Sequence, residues 1–224
     1  MAYYINLSAI DIDEYQKKLE KSDLLPSRMI LKQNLAESFT AFKKSGIKNV
    51  FELQQLLKKK EKIQEYSKSS GLSEQYLAIL IREINSLQPK PNNLKDFKGI
   101  NDEVLMELEK LGIKNTFQLF GKVISSENRK KLAMVTGVAE KDILELTKLA
   151  DLSRIRWVGS TFAQVLYVSE FDTVEKVANA DFQNLHHAIL KTNKEKNLYK
   201  GQIGLHDMKL TVNAAKELSL DIEY

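Results

Sequence analysis

The chain has 224 residues, a net charge of only +4 and no cysteine. The lack of cysteine excludes a disulfide framework, a cysteine-ligated zinc site and a cysteine nucleophile, and it fits a reducing cytoplasmic compartment. The small net charge excludes a nucleic-acid surface that arises from bulk charge, so phosphate contact would require local clusters of lysine and arginine.

Targeting and membrane signals are not found in the sequence. The first residues lack a basic segment followed by an apolar run, so we expect no signal peptide. No stretch approaches the roughly 20 apolar residues that cross a bilayer. We therefore expect a cytoplasmic protein with no membrane partner.

Helical periodicity dominates the chain, and one pattern occurs twice. Residues Gly46–Leu53 (GIKNVFEL) return 66 residues later as Gly112–Leu119 (GIKNTFQL). Ser70-Gly71-Leu72 returns at the same offset as Thr136-Gly137-Val138. Between these matches, apolar residues spaced three and four apart predict short helices that each bury one face.

Start and stop signals support these helices. Gly46 and Gly112 are typical of glycines that follow the end of a helix. Short polar residues typical of helix starts are Ser73, Asn115, Ser125, Asp172, Asp181 and Asp207.

A third, more diverged copy follows the second. Residues 94–119 align without gaps to residues 152–177, with apolar on apolar positions throughout, and the match ends there. Terminal members of repeat arrays often diverge because they cap the stack. The prolines of Pro89–Pro91 mark the clearest linker. We predict domains at residues 1–88, 92–151 and 152–224, the last two sharing one core.

The predicted fold is all-α, built from repeated helix-hairpin-helix-like units of about four short helices each. At the two ends, Tyr3–Leu7 and Leu218–Tyr224 alternate apolar and polar residues. This alternation favours a minor β-ribbon between the termini.

Two turns resemble the helix-hairpin-helix motif, in which a Gly-hydrophobic-Gly turn joins two short helices. In that motif, backbone N–H groups face outward at the start of the second helix and attract phosphate. The Gly99 hairpin (residues 94–101) has Asn101 in place of the second glycine, and the Trp157 hairpin (residues 152–159) has Trp157 in place of the first. Related turns at residues 33–35, 70–73 and 136–139 hold one glycine or none, so all five hairpins are incomplete.

The two hairpins and their basic neighbours form the candidate nucleic-acid-binding site. Lysine and arginine would contact phosphates, and the turn backbone would supply N–H groups. The candidate residues are Lys98, Gly99, Asn101, Arg154, Arg156, Gly159 and Ser160. The alternative for the basic residues, and for the run Lys191–Lys200, is an ordinary solvated surface. Trp157, the single tryptophan, either stacks on a base or a partner, or packs between the second and third repeats.

No catalytic, metal or cofactor site is predicted. His186 and His187 are adjacent on a predicted helix, so their side chains point about 100° apart and do not easily share a metal. The sequence contains no phosphate loop, dinucleotide fingerprint or nucleophile elbow. We expect a protein that is not an enzyme and carries no cofactor.

Stretches spread over nearly the whole chain carry a family resemblance. They are Leu24–Leu31, Leu149–Val158, Phe162–Tyr167, Asp172–Ala178, Tyr199–Met208 and Ala214–Lys216. These stretches resemble an uncharacterised bacterial family, domain of unknown function 4332. The resemblance implies a compact helical fold with helix-hairpin-helix-like units. It implies no activity, so no functional residue is carried over.

Two functions remain open from the sequence. The first is sequence-independent binding of the DNA or RNA backbone through the hairpin turns, which rests on analogy between folds. The alternative is a protein–protein interaction scaffold, since helical repeats bind proteins as readily as nucleic acids. The sequence indicates no oligomeric state.

Overall fold

A computed structural model describes residues 3–224. Over this range the chain is helical and contains no β-strand, which confirms the predicted all-α fold. The chain divides into two compact units. The N-terminal unit is Ile5–Gln88, and the C-terminal unit is Pro89–Tyr224 together with residues 3 and 4.

The N-terminal unit packs five α-helices around an apolar core. Phe42 is fully buried there and stacks on Tyr66, with 5.6 Å between ring centroids. Short 3₁₀ helices at Leu7–Ala9 and Pro26–Lys32 complete this unit. Its α-helices are α1 (Ile12–Lys21), α2 (Leu35–Lys44), α3 (Val50–Leu57), α4 (Lys60–Ser70) and α5 (Glu74–Ser86).

The C-terminal unit contains eight α-helices around one continuous core that runs from Leu94 to Ala215. Its helices are α6 (Asp102–Lys110), α7 (Thr116–Phe120), α8 (Ser126–Thr136), α9 (Glu140–Leu152), α10 (Ser160–Val168), α11 (Val174–Ala178), α12 (Phe182–Lys196) and α13 (Leu205–Lys216). Helices α7, α8 and α10 all pack against α9, so α9 is shared by the segments predicted as the second and third repeats.

The helix boundaries recur at the spacings that the sequence pattern indicates. Helices α3, α4 and α5 start 66 residues before α7, α8 and α9. Helices α6 and α7 start 58 residues before α10 and α11. The glycines predicted to follow helix ends adopt the left-handed backbone that this position requires, with φ of +82° at Gly46 and +75° at Gly112.

Most of the predicted helix starts are capped as expected. A backbone N–H at the start of α5, α7, α8 or α12 donates to the side chain of Ser73, Asn115, Ser125 or Asp181. Two predictions were wrong. Thr173, not Asp172, caps α11, because the Asp172 carboxylate is held by Lys148 and Lys176. Asp207 lies inside the first turn of α13, where it accepts from the Gly204 N–H.

The predicted β-ribbon between the chain ends is also wrong, since the described residues form no strand there. One buried side chain holds both ends instead. The Arg154 Nε donates to the Tyr3 carbonyl oxygen at 3.3 Å, and its Nη2 donates to the Ser219 carbonyl oxygen at 3.0 Å. These side-chain bonds satisfy two backbone acceptors near the chain ends.

Candidate nucleic-acid interface

Gln164, in α10, links the two candidate hairpins. Its side-chain oxygen accepts from the Lys98 N–H at 3.1 Å, and its side-chain nitrogen donates to the Lys98 carbonyl oxygen. Residues four apart lie on the same face of a helix, so Gln164 and Ser160 share a face of α10. The fold therefore holds the backbone of exposed Lys98 against Gln164, which lies one helical turn after Ser160 in α10.

The Gly99 hairpin has the expected turn but an occupied helix start. Gly99 adopts φ of +84°. The Asn101 side chain accepts from the Glu103 N–H at 2.9 Å, and the first turn of α6 carries the acidic residues Asp102 and Glu103. Carboxylates at a helix N-terminus take the favourable position that a phosphate would occupy and repel a second anion. This arrangement disfavours the predicted phosphate contacts at Gly99 and Asn101.

The Trp157 hairpin has a related backbone and an open helix start. Trp157 adopts φ of +66°, and the Val158 N–H closes the turn by donating to the Ile155 carbonyl oxygen at 3.1 Å. Helix α10 begins after Gly159 with neither a side-chain cap nor an acidic residue in its first turn. The first N–H groups of a helix lack partners within it, and the helix dipole there favours an anion.

The other four hairpins lack this open start. Acidic residues lie in the first turn of the helix that follows each turn: Glu37 in α2, Glu74 in α5, Asp102 and Glu103 in α6, and Glu140 and Asp142 in α9. Among the five hairpins, only the one before α10 combines an uncapped start with an absence of carboxylates.

Arg154 does not lie at this surface, and its prediction as a phosphate contact was wrong. Its side chain is 1% exposed, and its Nη1 pairs with Asp151 Oδ1 at 2.7 Å. The guanidinium also lies 4.6 Å from the centroid of the Phe120 ring. Buried charges require such complete pairing, so Arg154 has no capacity left for a ligand.

Asp151, which no sequence pattern singles out, anchors this buried cluster. Besides Arg154, its carboxylate accepts from the Val174 N–H at 3.1 Å and from the Tyr224 hydroxyl at 2.9 Å. Burial raises the pKa of Asp151, while Arg154 and these hydrogen bonds act in the opposite direction. The cluster is structural: it joins α9, the start of α11 and the segment that ends at Tyr224.

Arg156 orients Trp157 and offers little surface to a phosphate. Only 8% of Arg156 is exposed, and its guanidinium lies 4.3 Å from the centroid of the Trp157 ring. Trp157 itself remains 40% exposed, so it does not fill a gap between repeats. The predicted phosphate contact of Arg156 is thus replaced by a cation–π contact.

A lysine-rich segment lies against the first turn of α10. The Tyr199 ring makes an edge contact with the Phe162 ring, with 5.6 Å between their centroids. Two hydrogen bonds of 2.8 Å between Tyr199 and Asn193 fix this position. Exposed Lys196 and Lys200 flank Tyr199 in the chain, so the run Lys191–Lys200 ends near the open helix start.

Neither a metal-binding cluster nor a membrane-spanning helix is found in residues 3–224. Within that range, no group of three or more histidine and acidic side chains could hold a metal ion. His186 instead makes a 2.9 Å hydrogen bond between its Nε2 and the Ile203 carbonyl oxygen. No helix in the same range has the length and apolar character needed to span a membrane.

Comparison with known proteins identifies a family. The sequence profile of the family described as domain of unknown function (DUF4332) matches residues 98–218, a segment that begins at Lys98 and includes the whole Trp157 hairpin. No curated protein and no solved structure matches the chain. The matched segment is more than half of the chain, and the protein therefore belongs to the DUF4332 family.

Proposed function

We propose that this protein binds the backbone of nucleic acids without reading their sequence, through the surface formed by the Trp157 hairpin, the first turn of α10 and Lys98. The observation that carries the proposal is the start of α10, which has no side-chain cap and no carboxylate in its first turn. The N–H groups there and the hydroxyl groups of Ser160 and Thr161 are donors suited to a phosphate oxygen.

Nearby lysines supply the charge that such a contact requires. Lys98 is held beside α10 by Gln164, and Lys200 follows the Tyr199 ring that packs on the first turn. Neutralising phosphates with lysine releases counterions, so binding should weaken steeply as salt rises. Helix N–H groups and lysines contact phosphate and not base edges, which explains why no sequence preference is expected.

The test is fluorescence anisotropy of a labelled duplex and a labelled single strand at two salt concentrations. Ser160→Glu places in α10 the kind of carboxylate that α6 already carries, and an acidic residue suits a helix start, so the fold should survive. We expect Ser160→Glu and Lys98→Glu each to weaken binding about tenfold or more at low salt. Lys131→Glu, at an exposed position of α8, is the control for Lys98→Glu, because both variants change the net charge by the same amount.

Two results would contradict the proposal. One is the lack of any binding by the unmodified protein at low salt, where electrostatic contacts are strongest. The other is an equal effect of Lys131→Glu and Lys98→Glu, which change the net charge by the same amount; that result would show that only overall charge matters.

A protein-interaction scaffold is the second candidate, and one observation favours it. Met134 and Val135 are adjacent on α8 and are 84% and 65% exposed, whereas Lys68 and Ser69 occupy the corresponding places in α4. Exposed apolar side chains that lie together mark contact surfaces more often than isolated ones. A stoichiometric protein partner that co-purifies with the protein but not with the Met134→Lys, Val135→Ser double variant would support this function.

A further inference from the structure

We infer that the ligand of the Trp157 surface is a single-stranded nucleic acid, with one unpaired base stacked on the Trp157 ring while a neighbouring phosphate lies at the start of α10. This inference rests on the proposed function and specifies its substrate. It is carried by the position, orientation and exposure of a single aromatic side chain.

The backbone at Trp157 favours glycine. Trp157 is the third residue of the four-residue turn Ile155–Val158, and its φ is +66°. The corresponding residue of the other hairpin is Gly99, at φ of +84°. A positive φ is strained for any residue with a Cβ atom, and strained residues that persist are concentrated at functional sites. The large aromatic side chain of Trp157 therefore stands at a position where the backbone favours glycine.

The Trp157 ring is held as a platform. Arg156, itself only 8% exposed, lies over the ring at 4.3 Å from its centroid. The ring is thus fixed by a cation that is itself embedded in the protein, and 40% of Trp157 remains accessible. No other aromatic ring among residues 3–224 is paired with it. A fixed and partly exposed aromatic ring provides a stacking surface for bases of any identity.

The same side chain disfavours a duplex. In a hairpin with glycine at this position, the backbone can approach a phosphate closely, whereas the indole of Trp157 stands in the way of a rigid double helix. Bases in a duplex are paired and stacked internally, so they cannot reach the ring without being turned out. An unpaired base rotates freely and can stack on Trp157 while its backbone passes Ser160, three residues further along the chain.

The experiment uses the full chain and its own fluorescence, because Trp157 is the only tryptophan. We would titrate the protein with an unlabelled oligothymidine strand and with a duplex of the same length. Stacking should quench the Trp157 emission with the single strand and change it little with the duplex. Binding of the single strand without any change in emission would overturn the inference.

Two variants complete the test by anisotropy with labelled strands. Trp157→Gly matches the backbone preference of the turn, so circular dichroism should show a folded protein, and single-strand affinity should fall roughly 5- to 100-fold while duplex affinity is unchanged or higher. Trp157→Phe should recover part of the lost affinity. An equal change for both ligands would overturn the inference.

The inference and the proposed function fail in different ways. If Ser160→Glu abolishes binding but Trp157→Gly does not change the ratio of single-strand to duplex affinity, the phosphate contact stands and the stacking does not. If the unmodified protein binds neither ligand at low salt, both are wrong.

Discussion

The Gly99 and Trp157 hairpins have the same local architecture but differ in the charge at the start of the helix that follows. Each leads through a residue at positive φ into a helix of nine residues, α6 or α10. The first turn of α6 carries two carboxylates, while that of α10 carries none. The turn geometry is thus common to both hairpins, and the exposed residues decide whether the helix start can attract an anion.

The two hairpins also differ in how they are anchored. Position 154, fully buried as Arg154, corresponds to Asp96, which is exposed in the Gly99 hairpin. Arg154 connects the Trp157 hairpin to Tyr3 and Ser219, at the two ends of the C-terminal unit. Equivalent positions in related hairpins can therefore have unrelated roles, one inside the core and one at the surface.

The largest expected effect comes from Arg154→Ala. It leaves the buried Asp151 carboxylate without its cation and frees two backbone carbonyls, so the free energy of unfolding should fall by about 3–5 kcal/mol. Urea unfolding followed by circular dichroism measures this change. Asp96→Ala, the matched change in the other hairpin, should alter stability by less than about 0.5 kcal/mol. Similar losses for both variants would remove this difference between the hairpins.

Gln164→Ala should weaken the connection between the two hairpins. It removes both hydrogen bonds to the Lys98 backbone, and we expect a loss of about 1–3 kcal/mol because Gln164 is largely buried. Exchange of the Lys98 amide hydrogen should become faster. Gln118→Ala is the control, since the exposed Gln118 makes a single bond to the Lys114 N–H at 2.8 Å. A smaller effect for Gln164→Ala than for Gln118→Ala would contradict a link between the hairpins.

Gly99→Ala measures how much stability is lost when a residue with a Cβ atom adopts the positive φ of the turn that both hairpins share. A Cβ atom at Gly99 would meet nothing within 4 Å, so the expected loss of about 1 kcal/mol comes from the positive φ alone. Gly121→Ala is the control, because Gly121 has φ of −65° and the same open space, and it should be neutral or slightly stabilising. Equal unfolding free energies for the two alanine variants would show that the turn carries no strain.

The smallest expected effect on stability comes from a change of Asp172, in the loop that follows α10. Burial alone would raise the pKa of Asp172, but hydrogen bonds from Lys148 at 2.5 Å and Lys176 at 2.6 Å outweigh it and lower that pKa below its ordinary value of 3.8. A lowered pKa stabilises the folded state above pH 3.8, and this contribution is lost as the pH falls through the folded-state pKa.

Asp172→Asn should therefore cost less than about 1 kcal/mol at neutral pH, because solvent screens the exposed Lys176. The difference from the unmodified protein should shrink in strongly acidic solution, as thermal melts across a pH series would show. At the corresponding position of the loop that follows α6, Lys114 pairs with Glu109 at the surface, so Lys114→Ala should show a weaker pH dependence. If the stability lost in Asp172→Asn grew as the pH fell, the lowered pKa of Asp172 would be contradicted.

Local sequence signals were enough to predict an all-α chain and the positions of several helix ends. Caps such as Ser73 and Asn115, and glycines such as Gly46 and Gly112, act through hydrogen bonds and dihedral angles within a few residues. Such local interactions are encoded by neighbouring residues, so pattern and spacing were sufficient to predict them. The two misplaced starts, at Asp172 and Asp207, are cases in which the carboxylate has another partner.

Which candidate residues reach the surface depends on contacts between distant parts of the chain. Arg154 and Arg156 flank a turn as lysines do elsewhere, and nothing near them in sequence shows that Arg154 meets Tyr3, 151 positions away, or that Gln164 meets Lys98, 66 positions away. Charge is a property of the residue, whereas burial depends on what the remote parts of the chain place against it. For the same reason, the ends that alternate like strands are held by the side chain of Arg154 and do not pair with each other.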